Sequence, residues 1–117
     1  YTDYIQLEAD CTYYFTGYAR ESINTISNSF GGEVTTTPRL LLPANNRRVK
    51  LNMVNSGENK ISFHYGDQAG LVIGSTLQLE PGGSSWNDEG FFIDRGPLWV
   101  ICHEGSTNIV GKEMVRV

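Results

Sequence analysis

The sequence predicts an all-β fold, an antiparallel β-sandwich of jelly-roll character with a short N-terminal strand or arm. Three observations lead there. Apolar and polar residues alternate with a period of two in several short stretches, and clusters of Gly, Pro, Asn and Asp interrupt them at spacings of about 8 to 12 residues. No window carries an apolar stripe of helical period free of Gly, Pro or a β-branched run, so no helix of ordinary length can be written. A chain of 117 residues has room for one domain, and folding at that size buries roughly two-thirds of the unfolded chain's surface.

The first strand is expected where Ile5, Leu7, Ala9, Cys11, Tyr13 and Phe15 alternate with Gln6, Glu8, Asp10, Thr12 and Tyr14. Residues 17–33 are small and polar and read as a loop. A Thr-rich run from Glu33 to Leu42 contains Pro38 and ends at Pro43; proline donates no ladder hydrogen bond, so this strand belongs at an edge or is broken. Val49, Leu51 and Met53 alternate with Arg48, Lys50 and Asn52, Asn55 to Asn59 supply a turn, and Ile61, Phe63 and Tyr65 return, so residues 48–65 read as a β-hairpin.

Beyond it come two short apolar pieces, Leu71 to Ile73 and Leu77 to Leu79, then the turn Pro81-Gly82-Gly83. A short polar strand around Trp86 and the piece Phe91 to Ile93 follow. Leu98 to His103 forms a strong strand after Gly96-Pro97, and Ile109 to Val117 closes the domain. Residues 1–44 thus hold an N-terminal strand, a polar loop and an edge strand that together form a possible partner-binding arm, and residues 45–117 hold the sandwich core.

Composition narrows the function. The chain is 39% hydrophobic and 19% charged with a net charge of −4, as expected of a soluble domain. Its one adjacent basic cluster is Arg47, Arg48 and Lys50, which is too little for a phosphate-backbone surface, so no nucleic-acid partner is expected. No apolar run approaches the length of about 18 residues needed to span a membrane. Cys11 and Cys102 lie far apart and outside any Cys-x-x-Cys pair; they imply no disulfide and are expected as buried thiols.

No catalytic, metal-binding or cofactor-binding residues are expected. His64 and His103 lack zinc-motif spacing, and no Gly-x-Ser-x-Gly elbow occurs. Asp67, Asp88, Glu89, Asp94 and Glu104 fall in or beside turns, which they cap through the backbone. Partner contacts are expected from exposed aromatics, which give large amphipathic area at low entropic cost. Tyr4, Tyr14 and Tyr18 of the N-terminal stretch and Trp86 are the candidates, whereas Trp99, inside an apolar run, is expected in the core.

The runs Asn46-Arg47-Arg48-Val49-Lys50-Leu51, Asn55-x-Gly57, Gly66, Gly70, Leu79-x-Pro81-Gly82 and Gly96-Pro97-Leu98-Trp99-Val100-Ile101 resemble those of small β-sandwich virion proteins of tailed bacteriophages. These are capsid decoration or cement proteins and head or tail fibre modules. The resemblance covers residues 45–117 and rests on turns and strand starts. It implies a non-enzymatic structural protein, trimeric, assembled in the host cytoplasm, that sits on the capsid surface of the virion and stabilises the lattice of the major capsid protein. A receptor- or carbohydrate-binding fibre module is the alternative, and a small cupin-like metal enzyme a third.

Overall fold

The computed structural model describes residues 24–74 and 76–117. Eight strands follow in order: β1 (Thr25–Thr35), β2 (Arg39–Leu42), β3 (Arg48–Asn55), β4 (Ile61–Tyr65), β5 (Leu77–Leu79), β6 (Ser84–Glu89), β7 (Leu98–Cys102) and β8 (Ser106–Arg116). One 3₁₀ turn, Gln68–Gly70, precedes β5 and is capped by Asp67, whose side chain accepts the Gly70 N–H. The strands form two antiparallel sheets, β1-β8-β3-β6 and β2-β7-β4-β5. Successive strands cross between the sheets except at β4–β5, which gives the double Greek-key connectivity of a jelly roll. The all-β sandwich expected from the sequence is the fold observed.

Period-two alternation builds the interior. Leu51, Met53 and Ile109 from one sheet face Ile61, Phe63, Leu98, Val100 and Cys102 from the other, all fully buried. Burying each large apolar side chain contributes roughly 1.5–3 kcal/mol. Residues before 45 also take part, since Val34, Leu41 and Leu42 join the same core.

Two local expectations are corrected. Residues 48–65 are not a hairpin: β3 pairs with β8 and β6, whereas β4 pairs with β7 and β5. The connecting residues cross from one sheet to the other. Asn55, fully buried, organises that crossing. Its amide donates to the carbonyls of Asn59 (2.8 Å) and Leu79 (3.2 Å), and its Oδ1 accepts from Thr107 Oγ1 at 2.8 Å. A hairpin and a sheet crossing share the same flanking alternation, so the pattern alone does not separate them.

The expected loop over residues 17–33 gives way to strand from Thr25 onward. Its composition is poor for a strand, but β1 pairs along its whole length with β8, from Thr25↔Arg116 to Thr35↔Ser106. Tertiary pairing overrides weak propensity here. Phe30 lies opposite Gly111, and a Cβ on Gly111 would collide with the Phe30 ring and the Asn52 carbonyl, so the glycine lets the ring lie flat across β8. Pro38 falls between β1 and β2, where no ladder N–H is required. The apolar pieces 71–73 and 91–93 lie in turns and irregular backbone.

Candidate interaction surfaces

The two ends of the sandwich differ. One end gathers the start of β1, the end of β8 and the connections β2–β3 and β6–β7. At its centre the fully buried Arg48 donates from Nε to Glu113 Oε2 at 2.7 Å. Its Nη1 donates to the carbonyls of Asp94 (3.0 Å) and Gly96 (2.9 Å), and its Nη2 to the carbonyl of Pro43 at 3.0 Å. One guanidinium therefore satisfies a carboxylate and ties down two loops, using the planar fork that lysine lacks.

Outside this clamp Arg47 and Arg116 are exposed, whereas Val49 and Arg95 are half-buried, with Arg95 Nη1 donating to the Ile93 carbonyl at 3.3 Å. Two adjoining hollows, of about 510 and 450 Å³, share Val49, Arg95 and Arg116. Arg47 lines the first and Phe91 the second. Phe91 and Phe92 stack edge to face at 5.1 Å and are 85% and 91% exposed. Among the described residues the ion pairs are Arg48–Glu113, Lys50–Glu89 and Lys60–Glu80, so none engages Arg47, Arg95 or Arg116. The result is a basic cleft with an aromatic lip.

The second surface is the edge formed by β1. Asn24 accepts the Val117 N–H at 2.9 Å, so even-numbered residues of this strand face β8 with their backbone groups and odd-numbered ones face away. Arg39 covers part of the outward side, donating to the carbonyls of Glu33 (2.7 Å) and Gly31 (3.3 Å). The outward backbone groups of Thr25, Ser27 and Ser29 have no partner among the described residues. This stretch has neither Pro nor Lys, the residues that usually blunt an edge.

Trp86 is half-buried at the sheet margin: its ring meets Phe63 at 5.3 Å and 62°, and its indole N–H donates to the Tyr65 hydroxyl at 3.1 Å. It is thus partly built into the sandwich, with the remainder of the side chain exposed at the margin. Tyr65 in turn donates to Asp88 Oδ2 at 3.3 Å. Burial, aided by the Asp88 carboxylate, pushes the Tyr65 phenol up to about 12.

Trp99 takes the opposite place from the one expected. Leu98, Val100 and Cys102 point inward, so Trp99 stands half-buried on the outer face, opposite Leu40 on one side and His64 on the other. Parity identifies two faces of a strand but does not say which is inward when both carry apolar residues. Tyr4, Tyr14, Tyr18 and Cys11 lie outside the described residues. Cys102 is a free, fully buried thiol, and Sγ donates to the Glu104 carbonyl at 3.1 Å.

One pair has the outline of hydrolytic chemistry, since Ser62 Oγ lies 2.7 Å from His103 Nε2. Ser62 is fully buried and also receives the Gly74 N–H at 3.4 Å. A substrate carbonyl has no path to that oxygen, and no carboxylate among the described residues orients the imidazole. The His103 contact ties β4 to the end of β7, and the Gly74 contact ties it to the segment before β5.

No family model matches the chain, and no curated protein matches it. One solved structure, of Bacillus endospore appendages described as a novel family of disulfide-linked pili, is similar at 10% identity and a TM-score of 0.47, covering 91% of this chain and 98% of that one.

Proposed function

We propose that this domain is a non-enzymatic structural subunit that joins a protein lattice by strand addition along β1, with decoration of a phage capsid as its setting. The observation that carries the binding mode is the outward backbone of Thr25, Ser27 and Ser29, which has no partner among the described residues and lies beyond the part of the strand that Arg39 covers. Extended segments bind such edges through main-chain hydrogen bonds, which supply affinity with little demand on side chains. The capsid setting, the major capsid protein as partner and the trimeric state are supported by the sequence resemblance of residues 45–117. Tyr4, Tyr14 and Tyr18 are proposed as additional contacts of the N-terminal arm.

The test is Ser27→Pro. Proline there removes an outward N–H and leaves the β8 ladder intact, so the domain should fold while capsid binding, read by co-sedimentation, is lost. Capsid binding equal to wild type would overturn the binding mode. Capsids whose heat resistance ignores the protein would overturn the decorating role.

A second reading, carbohydrate binding, is favoured by the row Leu40–Trp99–His64 on the outer face. Glycan-array signals that disappear in Trp99→Ala and persist in Trp86→Phe would support it.

A further inference from the structure

We propose that the basic cleft of Arg47, Arg95 and Arg116, with its Phe91–Phe92 lip, is the docking site of the chain's own N-terminal segment, residues 1–15. The proposal concerns the free chain and does not rest on the partner or the β1 contact proposed above. Three observations on separate links of the argument converge on this occupant.

Charge comes first. The chain's net charge is −4. Residues 1–23 hold Asp3, Glu8, Asp10 and Glu21 against Arg20, a net of −3, so nearly all of the imbalance resides in this segment. The cleft holds three guanidinium groups that no carboxylate among the described residues engages. Arginine pairs carboxylates through two parallel N–H groups, and three such forks suit Asp3, Glu8 and Asp10.

Shape and apolar chemistry come second. Phe91 and Phe92 are almost fully exposed. Exposed aromatic side chains of that size ordinarily mark a contact surface. The segment supplies Tyr1, Tyr4, Tyr13 and Tyr14 within reach of its carboxylates. Tyrosine rings pack edge to face on phenylalanine and lie over guanidinium planes, so the same side chains match both halves of the cleft.

Position comes third. The described chain begins at Asn24, whose carbonyl accepts the Val117 N–H at 2.9 Å, and the adjacent Arg116 N–H donates to Arg47 at 2.8 Å. The described chain therefore begins at the rim of the cleft itself. Residues 16–23, at up to about 3.3–3.6 Å each, are long enough to turn the segment back, with Gly17 available for the reversal. A tether this short holds the segment at an effective concentration in the millimolar range, which favours the chain's own cleft over that of a second copy in dilute solution.

Paramagnetic labelling of the full chain tests this. A nitroxide is attached at Cys11, which the burial of Cys102 allows selectively. The expected result is selective loss of amide signal at residues 90–96 and 47–49. That loss should diminish in about 1 M salt, where the screening length falls to about 3 Å. It should vanish in Arg47→Glu/Arg95→Glu and return when Asp3→Lys, Glu8→Lys and Asp10→Lys are added.

Arg47 is an exposed turn residue and Arg95 a half-buried loop residue whose Nη1 donates to the Ile93 carbonyl at 3.3 Å, so an unchanged amide spectrum for β3, β4, β7 and residues 90–97 in an unlabelled sample verifies that the variant keeps its fold. Broadening that ignores the charge reversals, or that spares the cleft, would overturn the proposal. Mixing labelled chain with isotope-enriched, label-free chain separates the two possible hosts: broadening of the cleft in that mixture at low concentration would assign the segment to a second copy and equally overturn it.

Discussion

Arg48 and Glu113 face each other at 2.7 Å across adjacent strands β3 and β8, with the guanidinium fully buried and the carboxylate nearly so. Removing one partner of such a pair leaves an uncompensated charge in the interior, at a cost of about 3–5 kcal/mol. Arg48→Ala should therefore lower the urea midpoint steeply. It should also release the loops at Pro43 and Asp94–Gly96, which lose three hydrogen bonds to Arg48. Arg48→Met/Glu113→Leu should recover part of the stability but leave the same loops loose, read as faster amide exchange at residues 43–47 and 93–97.

Tyr65 makes the domain sensitive to alkali. Its phenol is pushed up to about 12 from an ordinary 10.0. The folded state thus holds the proton more tightly than the unfolded one, and the associated stability is complete below pH 10 and lost as pH rises from 10 through 12. The wild-type urea midpoint should fall across that window more than the midpoint of Tyr65→Phe does. Equal slopes for the two proteins would show that the phenol is not protected.

Trp86→Phe keeps apolar volume beside Phe63 and removes the indole donor to Tyr65. The expected loss is about 1 kcal/mol, that of one hydrogen bond, together with a shift of the Tyr65 titration, observed by tyrosinate absorbance. A loss several times larger would mean that packing, not the hydrogen bond, dominates at this position.

Backbone direction along β1 separates neighbouring substitutions. Ser27→Pro removes an N–H that faces away from β8, whereas Asn28→Pro removes one that bonds to it. Thermal unfolding should move little for the first. For the second it should show a penalty of about 1–3 kcal/mol, from the lost ladder bond and the β8 carbonyl left without its donor. Similar penalties at both positions would contradict the assigned register.

Gly111→Ala places a methyl group where the Phe30 ring and the Asn52 carbonyl already lie. Overpacking of this kind costs about 1–3 kcal/mol. The penalty should shrink in Gly111→Ala/Phe30→Ala only by the share due to the ring, because the carbonyl remains. Denaturant midpoints of wild type, the two single variants and the double variant measure that share.

Much of the fold is legible without coordinates. Alternation in Arg48–Asn55, Ile61–Tyr65 and Leu98–Cys102 marks strands that are indeed strands. The positive-φ glycines at 66, 74, 82, 83, 90 and 105 lie in turns or beside strand ends, as punctuation in the sequence suggests. The basic cleft was only half visible: Arg47 stood out as part of a cluster, but Arg95 and Arg116 join it from 48 and 69 residues further along the chain, a distance that no local pattern spans.

By itself, then, the sequence determined the class of this protein. A period of two, turn residues at short intervals and the lack of any helical stripe are local properties, and they suffice for an all-β sandwich. Tertiary structure alone decided which sheet each strand enters, which face of each strand is interior and which weak segments become strands. Parity distinguishes two faces without naming the buried one, so Trp99 stands half-buried on the outer face and not in the core where it was expected. Strand propensity is too small to resist pairing, so the Ser- and Gly-rich run at Thr25–Gly32 becomes an eleven-residue strand's longer part because β8 lies beside it.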